Sequence, residues 1–316
     1  MGTSWSVRLC PPPGADRVVI QSAIQNELDR IIGLFSHWDP RSEVSRFNAA
    51  PEGLYAVSPE FWAFLEACLD LADQTDGAVD PTLGALVNLW GFGPPGPRPH
   101  DDFYGGPSTP GEDEIDEARK VSSWNRLRLS LKTQAVTQMG GMRLDFSGLA
   151  KGYAVDQVSQ RLSDDGIHAH LVEIGGELRG ANVRPDGYPW WVEIAAAPGL
   201  NAPRTVAALF DMAAATSGDD VRFWQNSLGR YSHTLNGRTG RPIDNGMVSV
   251  TVFDPSALRA DGMATALTVM GPDLGPAYAE ALQIPAQFIW RNEDGSLSDR
   301  VTPAWAAMQE EGTSES

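Results

Sequence analysis

The stretch RLDFSGLAKGYAVD, residues 143–156, is the most informative part of the sequence for both fold and function. Its pattern predicts a strand that ends at Asp145, a tight turn at Ser147-Gly148 and a helix that begins near Leu149. Backbone amides at a helix N-terminus attract phosphate, and Lys151 would add a positive charge there. An ordinary strand-to-helix turn, with Asp145 as its cap, explains the stretch equally well.

Segments on both sides alternate between strand-like and helical patterns. Upstream, a half-buried strand at the start of the chain precedes two helices, one capped at Ser22 and one beginning at Ser58. Downstream, the pattern predicts a helix at RADGMATALTVMG (259–271) and strands at LRLSL (127–131), HLVEI (170–174), VEIAAA (192–197), VAALFDM (206–212), MVSVTVF (247–253), AQFIW (286–290) and SDRVT (298–302). This mixture predicts an α+β or α/β architecture.

We expect one domain over residues 1–316, with two segments outside its regular structure. An acidic loop rich in Pro and Gly covers about 94–116, and a polar tail covers about 306–316. Strand-like segments resume directly after the loop, so it is not a linker between independent domains.

The composition excludes several classes of protein. The 316 residues include 24 basic and 41 acidic side chains, and a net charge of −17 does not favour binding to nucleic acid. Cys10 and Cys68 are too few for a disulfide framework or a thiolate zinc cluster. No apolar run approaches the roughly 20 residues of a membrane span. We therefore expect a cytoplasmic protein without a membrane span, or one from which a leader has been removed.

A second candidate site lies on the helix predicted over residues 259–271. Asp261 and Thr265 are four residues apart, so a carboxylate and a hydroxyl share one helix face. Such oxygen donors suit Mg²⁺, which keeps several waters and takes phosphate oxygens as further ligands. An acid that complements the helix dipole and a threonine that bonds back to the backbone would give the same pattern, and spacing alone favours that interpretation.

His233 lies in the turn-rich segment RYSHTLNGRTGRPID, residues 230–244. Loops of this kind often carry function on a rigid scaffold. A histidine here could act as a general base or contact phosphate, and it could equally be a solvated loop residue.

Taken together, these segments resemble the ApbE family of flavin transferases. Each landmark is weak alone, but their order and spacing over nearly the whole chain are specific. The resemblance begins at MGTSWSV (1–7). Its landmarks are SHWDPRSEVSRFN (36–48), TDGAVDPTLGALVNLWGFG (75–93), LDFSGLAKGYAVD (144–156), EIGGELRG (173–180), TSGDD (216–220), HTLNGRTGRPI (233–243) and ADGMATALTVMG (260–271).

The resemblance implies both a fold and a reaction. The fold is α+β, with mixed sheets, flanking helices and FAD in a cleft between two lobes. The reaction is the Mg²⁺-dependent transfer of the FMN moiety of FAD to a Thr or Ser hydroxyl of an acceptor flavoprotein, with release of AMP. Two alternatives use the same residues: an FAD pyrophosphatase that yields FMN and AMP, and a non-catalytic FAD-binding protein.

The resemblance also assigns roles to individual residues. His233 and Asp261 would be catalytic. The carbonyl of Gly148 and the side chains of Asp261 and Thr265 would bind the metal. Trp38 would stack on a ring of the nucleotide. The implied FAD contacts are Met1, Trp38, Ala78, Val79, Asp80, Asp145, Lys151 and Leu235.

Several positions depart from the family pattern. Asn236-Gly237 stands where Asp-Pro is common, which removes a potential carboxylate beside His233. Ser147 stands where Gly is frequent, Glu177 where Asp is frequent, and Ala264 where some members have a further acid. None of these changes removes Asp261 or its partner four residues later.

Overall fold

The computed structural model describes residues 2–194, 205–218 and 222–311, which belong to two compact units. Unit 1 comprises Met1–Ile31, Gly148–Gly218 and Gly246–Ser316, and unit 2 comprises Ile32–Ser147 and Asp219–Asn245. The prediction of one domain over the whole chain stays a prediction.

The helices and strands have the following bounds. The helices are α1 (Arg17–Phe35), α2 (Glu43–Ala49), α3 (Pro59–Gln74), α4 (Gly84–Leu89), α5 (Glu112–Val121), α6 (Ala150–Asp164), α7 (Ala257–Ala281) and α8 (Pro303–Glu311), with a 3₁₀ turn at Trp124–Arg126. The strands are β1 (Trp5–Leu9), β2 (Gly53–Ala56), β3 (His100–Asp101), β4 (Gly106–Pro107), β5 (Arg128–Ser130), β6 (Ala135–Gln138), β7 (His170–Ile174), β8 (Glu177–Ala181), β9 (Trp190–Ile194), β10 (Thr205–Leu209), β11 (Met212–Gly218), β12 (Phe223–Asn226), β13 (Gly229–Ser232), β14 (Leu235–Asn236), β15 (Arg241–Pro242), β16 (Met247–Asp254), β17 (Ala286–Arg291) and β18 (Leu297–Val301).

Unit 1 is built on a seven-stranded antiparallel sheet in the order β1-β7-β8-β11-β16-β17-β18. Side chains alternate between its two faces. Leu178 and Ala214 lie on the face that joins an apolar cluster with Trp190 and Trp305. Glu177 and Ser217 lie on the opposite face, against which α6 and α7 pack. The second face therefore presents these two polar residues to α6 and α7.

The hairpin between β7 and β8 requires two glycines. Gly175 and Gly176 have φ angles of 64° and 102°, in the left-handed region that disfavours residues with a Cβ. A two-residue turn with both φ angles positive matches the twist of antiparallel strands. The turn fixes the register in which Glu177 pairs with Ile174, and so fixes the face on which Glu177 lies.

The described residues of unit 2 form α2 to α5 and four small sheets, of which the largest has the strand order β2-β6-β5. Its core includes an aromatic cluster in which the ring centroids of Phe35 and Phe64 are 4.2 Å apart and Phe146 meets both rings edge-on. A second cluster contains Trp90 and Leu235. Aromatic packing of this kind stabilises the unit beyond the burial of apolar area.

Several predicted elements are confirmed and others begin elsewhere. Helix α3 has Ser58 as its N-cap and Pro59 in its first turn, as expected. Helix α1 begins at Arg17 rather than after Ser22, because Asp16 Oδ1 accepts the N–H of Val18 at 2.8 Å and caps the helix earlier.

Two segments predicted to be irregular contain helices. Helix α5 begins at Glu112, inside the expected acidic loop, because three acids in its first turn complement the helix dipole. Helix α8 continues to Glu311, inside the expected polar tail. Among the described helices, none combines the length and apolar character that a membrane span needs.

Two predicted strands differ from the structure. Segment 206–212 is divided between β10 and β11 by a turn in which Asp211 has a φ of 50° and accepts the N–H of Asn182 at 2.9 Å. Segment 192–197 forms the end of β9 up to Ile194, and its last three residues lie outside the described residues.

Candidate functional site

Helices α6 and α7 position the predicted metal ligands. The carboxylate of Asp156 on α6 accepts the N–H groups of Ala257 and Leu258, both at 3.0 Å, and the hydroxyl of Ser256 at 2.9 Å. The N–H groups of Ala257 and Leu258 are the first backbone donors of α7, and they have no partner within the helix itself. The cap fixes the start of α7 against α6, and Asp261 follows one turn later.

A glycine allows the two helices to approach closely. A Cβ on Gly152 would collide with the carbonyl oxygen of Ala257 and would lie 2.8 Å from Asp261 Cβ. The N–H of Gly152 donates to Asp261 Oδ2 at 3.0 Å. Asp261 is 3% exposed, so its carboxylate is withdrawn from water and bonded to the backbone of α6.

Thr265 lies one turn after Asp261 and next to Gly148. A Cβ on Gly148 would lie only 2.8 Å from Thr265 Oγ1, so the glycine backbone closely approaches this hydroxyl. Ser217 Oγ on β11 is 3.1 Å from the same hydroxyl. The structure thus brings Gly148 and Thr265 together and places Asp261 on the same face of α7.

Two further charged residues complete this group. Glu177 is 1% exposed, and its Oε1 accepts a hydrogen bond from the Lys151 ammonium. Its Oε2 is buried and has no hydrogen-bond partner among the residues that the structure describes. Sequence reasoning treated Glu177 only as a departure from a pattern, although the Gly-Gly turn before it is a usable signal. We call Gly148, Lys151, Glu177, Asp261 and Thr265 the Asp261 cluster.

Burial and mutual repulsion perturb the acids of the cluster. Burial, followed by repulsion from Asp261, raises the pKa of Glu177 to about 8 against the attraction of Lys151. Burial also raises the pKa of Asp261, against the attraction of Lys151 and the hydrogen bond from Gly152. Burial disfavours the charged form of Lys151, but Asp261 and Glu177 outweigh it, and the pKa of the lysine is raised. Two acids therefore share one ammonium, and burial and mutual repulsion favour their protonated forms in the absence of a further cation.

The donors of the cluster fit a hard divalent cation. They comprise two carboxylates and a hydroxyl that lies against the backbone of Gly148, and one carboxylate oxygen lacks a partner among the described residues. No group of three or more His, Cys, Asp or Glu side chains suited to a metal occurs in the described ranges. A small set of oxygen donors is the arrangement in which Mg²⁺ keeps waters and binds phosphate oxygens.

Trp38 in unit 2 presents an aromatic surface. Its side chain is 51% exposed, and the Arg222 guanidinium lies 5.4 Å from its ring centroid and 5.9 Å from that of Phe92. Arg222 also donates to the carbonyl oxygen of Phe92 at 2.6 Å. Cation–π contact and this hydrogen bond hold the arginine beside the indole. No sequence motif indicated a role for Arg222.

The segment that leads to Asp145 is not the predicted strand. It forms one isolated bridge, between Leu83 and Arg143. The side chain of Asn48 replaces a neighbouring strand: its Oδ1 accepts the N–H of Leu144 at 2.7 Å and its Nδ2 donates to the Leu144 carbonyl at 2.8 Å. An amide side chain can satisfy both backbone groups at once, which the sequence pattern does not reveal.

The carboxylate of Asp145 has two neighbours. Its Oδ1 accepts the N–H of Ser147 at 2.8 Å and lies 3.5 Å from His37 Nδ1. The first contact closes a local turn at Asp145, but Asp145 does not cap α6, whose N-cap residue Leu149 has no side-chain hydrogen bond. Asp145 and Trp38 also border a cavity of about 460 Å³ within unit 2, here called the Trp38 cavity. The cavity is also lined by His37, Pro40, Ser45, Asn48, Ala49, Gly84, Asn88, Pro94, Pro95, Arg143 and Leu144.

Residues 78–80, the next predicted FAD contacts of unit 2, are held in place by hydrogen bonds and burial. Asp80 accepts the N–H and hydroxyl of Thr82 at 2.8 and 2.6 Å and the N–H of Trp124 at 3.1 Å. Burial raises the pKa of Asp80, although these bonds oppose the shift. Val79 is buried next to Ala78, so residues 78–80 form a well-anchored loop. Their contact with FAD stays a prediction.

His233 is fixed by the backbone of Arg222. Both its backbone N–H and its ring Nδ1 meet the carbonyl oxygen of Arg222, at 3.1 and 2.9 Å. A carbonyl oxygen can only accept, so Nδ1 carries the proton, and in the neutral ring Nε2 then carries the lone pair. The neighbouring Leu235 is 5% exposed and packs with Trp90 in the core. His233 is thus in the tautomer that a general base at Nε2 requires.

The predicted site residues divide between the two units. Those of unit 1 are Gly148, Lys151, Asp261 and Thr265, and those of unit 2 are Trp38, Ala78, Val79, Asp80, Asp145, His233 and Leu235. Met1, and Asp219 and Asp220 of the TSGDD landmark, lie outside the described residues.

Comparison with known proteins gives consistent matches. The model of the ApbE family matches residues 1–288. An FAD:protein FMN transferase of Vibrio cholerae serotype O1 is 38% identical over 300 residues, which cover 93% of this chain and 86% of the relative. The protein of the same name from Escherichia coli K12 is 32% identical over 287 residues, which cover 86% and 77%.

Solved structures agree with the sequence relatives. Flavin transferase ApbE from Vibrio cholerae superposes with a TM-score of 0.85 at 35% identity and covers 97% of this chain and 96% of its own. The apo form of Pseudomonas stutzeri flavinyl transferase ApbE gives a TM-score of 0.84 at 33% identity, with coverages of 98% and 94%. These likenesses confirm the predicted α+β fold class.

Proposed function

This chain belongs to the ApbE family, and on that premise we propose that it transfers the FMN moiety of FAD to a Thr or Ser hydroxyl of an acceptor protein. The family match supports the resemblance that the sequence motifs indicated. In the proposed reaction the acceptor oxygen attacks the phosphorus on the FMN side of the pyrophosphate. The bond from this phosphorus to the bridging oxygen breaks, AMP leaves, and the proton of the hydroxyl passes to a base.

We propose that Mg²⁺ is bound by the Gly148 carbonyl and the side chains of Asp261 and Thr265. A bound divalent cation supplies neutralisation of the charge that develops on the phosphate oxygens. The observation that carries the proposal is the buried carboxylate of Asp261, one helical turn from a hydroxyl that lies against the backbone of Gly148. Burial of this carboxylate is costly even beside Lys151, so its burial supports a role in binding a further cation.

His233 is proposed to take the proton from the acceptor hydroxyl or to orient a phosphate. Its Nδ1 donates to a carbonyl, and in this tautomer the basic nitrogen of the neutral ring is Nε2. FAD contacts are proposed for Trp38, Ala78, Val79, Asp80, Asp145, Lys151 and Leu235. Among these, the exposed indole of Trp38 suits stacking on a planar ring.

The loss of an acid at position 236 does not favour hydrolysis. Asn236 Oδ1 accepts the N–H groups of Arg238 and Thr239 at 2.9 and 3.3 Å and so caps the turn after His233. An amide oxygen and a carboxylate oxygen perform this role alike. The substitution is therefore compatible with FMN transfer.

The purified protein should be incubated with FAD and Mg²⁺, with and without an acceptor domain that carries a Thr flavinylation site. Mass spectrometry of the acceptor and chromatography of the nucleotides measure the products. We expect flavin-modified acceptor together with AMP, and neither without acceptor. Free FMN and AMP without acceptor would indicate a pyrophosphatase, and intact FAD in both arms would indicate a binding protein.

A further inference from the structure

Glu177 has the geometry of a ligand rather than of a structural acid. It is 1% exposed, and its Oε2 is buried without a hydrogen-bond partner in the described part of the chain. An unsatisfied carboxylate oxygen costs free energy, so it needs either a partner or a function. The Lys151 ammonium reaches Oε1 and leaves Oε2 unpaired.

The surroundings of Asp261 offer few other anionic donors. The residues between Asp261 and Thr265 on α7 are Gly262, Met263 and Ala264, and none carries a side-chain oxygen. A second anionic donor must therefore come from another element. Strand β8 provides Glu177 on the face against which α6 and α7 pack.

We propose that Glu177 is the second carboxylate of the cation site at Asp261 and that Lys151 competes with the divalent cation for both acids. This inference rests on the metal site of the proposed function. When both acids are charged, two carboxylates and one ammonium leave an excess of one negative charge, whereas two carboxylates and a divalent cation balance. Binding of the cation therefore releases the ammonium from Glu177.

Lys151 is placed to move in this way. It is the second residue of α6, and its side chain is 31% exposed while that of Glu177 is 1% exposed. A long side chain of this exposure can carry its ammonium toward solvent while its stem stays packed. Once released, its ammonium can pair with a phosphate group near the start of α6. Cation binding and anion binding would then strengthen one another by the same factor.

The test measures Mn²⁺ binding to the whole protein without FAD, from the electron paramagnetic resonance signal of free Mn²⁺. We expect Glu177→Gln to weaken binding roughly 10- to 100-fold, as for residues that support a metal site. Glu177→Asp keeps the charge and should stay within a few-fold of the unmodified protein. Lys151→Met removes the competitor and should tighten binding roughly tenfold. The matched controls are Glu293→Gln and Lys132→Met, at two separate exposed positions. Each should leave the Mn²⁺ affinity unchanged.

Several results would overturn the inference. Unchanged Mn²⁺ affinity in Glu177→Gln would mean that Glu177 serves only to hold Lys151. Weaker binding in Lys151→Met would mean that the lysine supports the site instead of competing for it. If Glu177→Gln does not fold, the double variant with Lys151→Met removes both charges of the pair, and it should bind Mn²⁺ more weakly than Lys151→Met alone. FMN transfer by the unmodified protein, assayed in parallel, tests the proposed function separately.

Discussion

The Asp261 cluster of unit 1 and the Trp38 cavity of unit 2 are built in opposite ways. The cluster buries charge: Asp261 and Glu177 are 3% and 1% exposed, and a glycine lets two helices close around them. The cavity presents an aromatic surface on loops, with Trp38 51% exposed. Charged groups buried away from water need rigid secondary structure to hold them in place. A planar ring can instead be recognised by a loop, provided that the side chains of the loop anchor it. We therefore expect changes in the cluster to affect turnover, and changes at the cavity to affect FAD affinity.

Of the changes considered for the two regions, Asp261→Ala should have the largest effect on activity. Metal stabilisation of a phosphoryl transition state is worth several kcal/mol, so kcat for FMN transfer should fall roughly a thousandfold or more. Initial rates of acceptor modification at saturating FAD measure this. The control is Asp299→Asn, an exposed acid on β18, which should leave the rate unchanged. Near-normal kcat in Asp261→Ala would remove the distinction between the two regions.

His233→Asn tests whether unit 2 contributes to turnover as well as to binding. The Asn side chain can still donate to the Arg222 carbonyl but cannot accept a proton as a base. A general base contributes roughly 100-fold or more, so kcat should fall by that factor with little change in KM for FAD. His168→Asn, at an exposed position of unit 1, is the control. If KM rises while kcat holds, His233 binds phosphate and is not the base.

Gly152→Ala tests whether the cluster depends on close helix packing. The added methyl group would collide with the Ala257 carbonyl oxygen, and overpacking of this kind costs about 1–3 kcal/mol. The melting temperature should fall by several degrees, as thermal unfolding would show. Gly33→Ala on α1 is the matched control, because a Cβ there meets nothing within 4 Å, and helix propensity should slightly stabilise it. Equal stability of the two variants would contradict the packing argument.

The smallest effect is expected for Trp38→Ala. Stacking on an aromatic side chain is worth about 1–3 kcal/mol, so the Kd for FAD should rise roughly tenfold while the melting temperature changes little. Fluorescence quenching of FAD measures the affinity. Trp191 on β9 is 53% exposed, and Trp191→Ala is the control for loss of an exposed indole. An unchanged Kd in Trp38→Ala would remove Trp38 from the FAD site.

Sequence patterns predicted this chain best where local chemistry decides the structure. Ser58 with Pro59 specifies the start of α3, and the spacing of Asp261 and Thr265 specifies a shared helix face. The patterns failed where a distant side chain replaces a backbone partner. Asn48 binds Leu144 from 96 residues away, so the segment before Asp145 needs no strand beside it.

The candidate site shows the same limit. The family resemblance supplied Gly148 and the FAD contacts, and Gly148 does lie against Thr265. Helical spacing supplied only the two residues on α7. The unpaired oxygen of Glu177 depends on how β8 packs against α6 and α7, and no local sequence pattern encodes that arrangement.

FMN transfer can be tested in one reaction of the protein with FAD, Mg²⁺ and a Thr-bearing acceptor domain, in which both the AMP released and the modified acceptor are measured. We expect a one-to-one ratio of the two products, and neither product when the acceptor threonine is replaced by alanine. AMP that accumulates without acceptor modification, or modification without AMP, would contradict FMN transfer as the function of this protein.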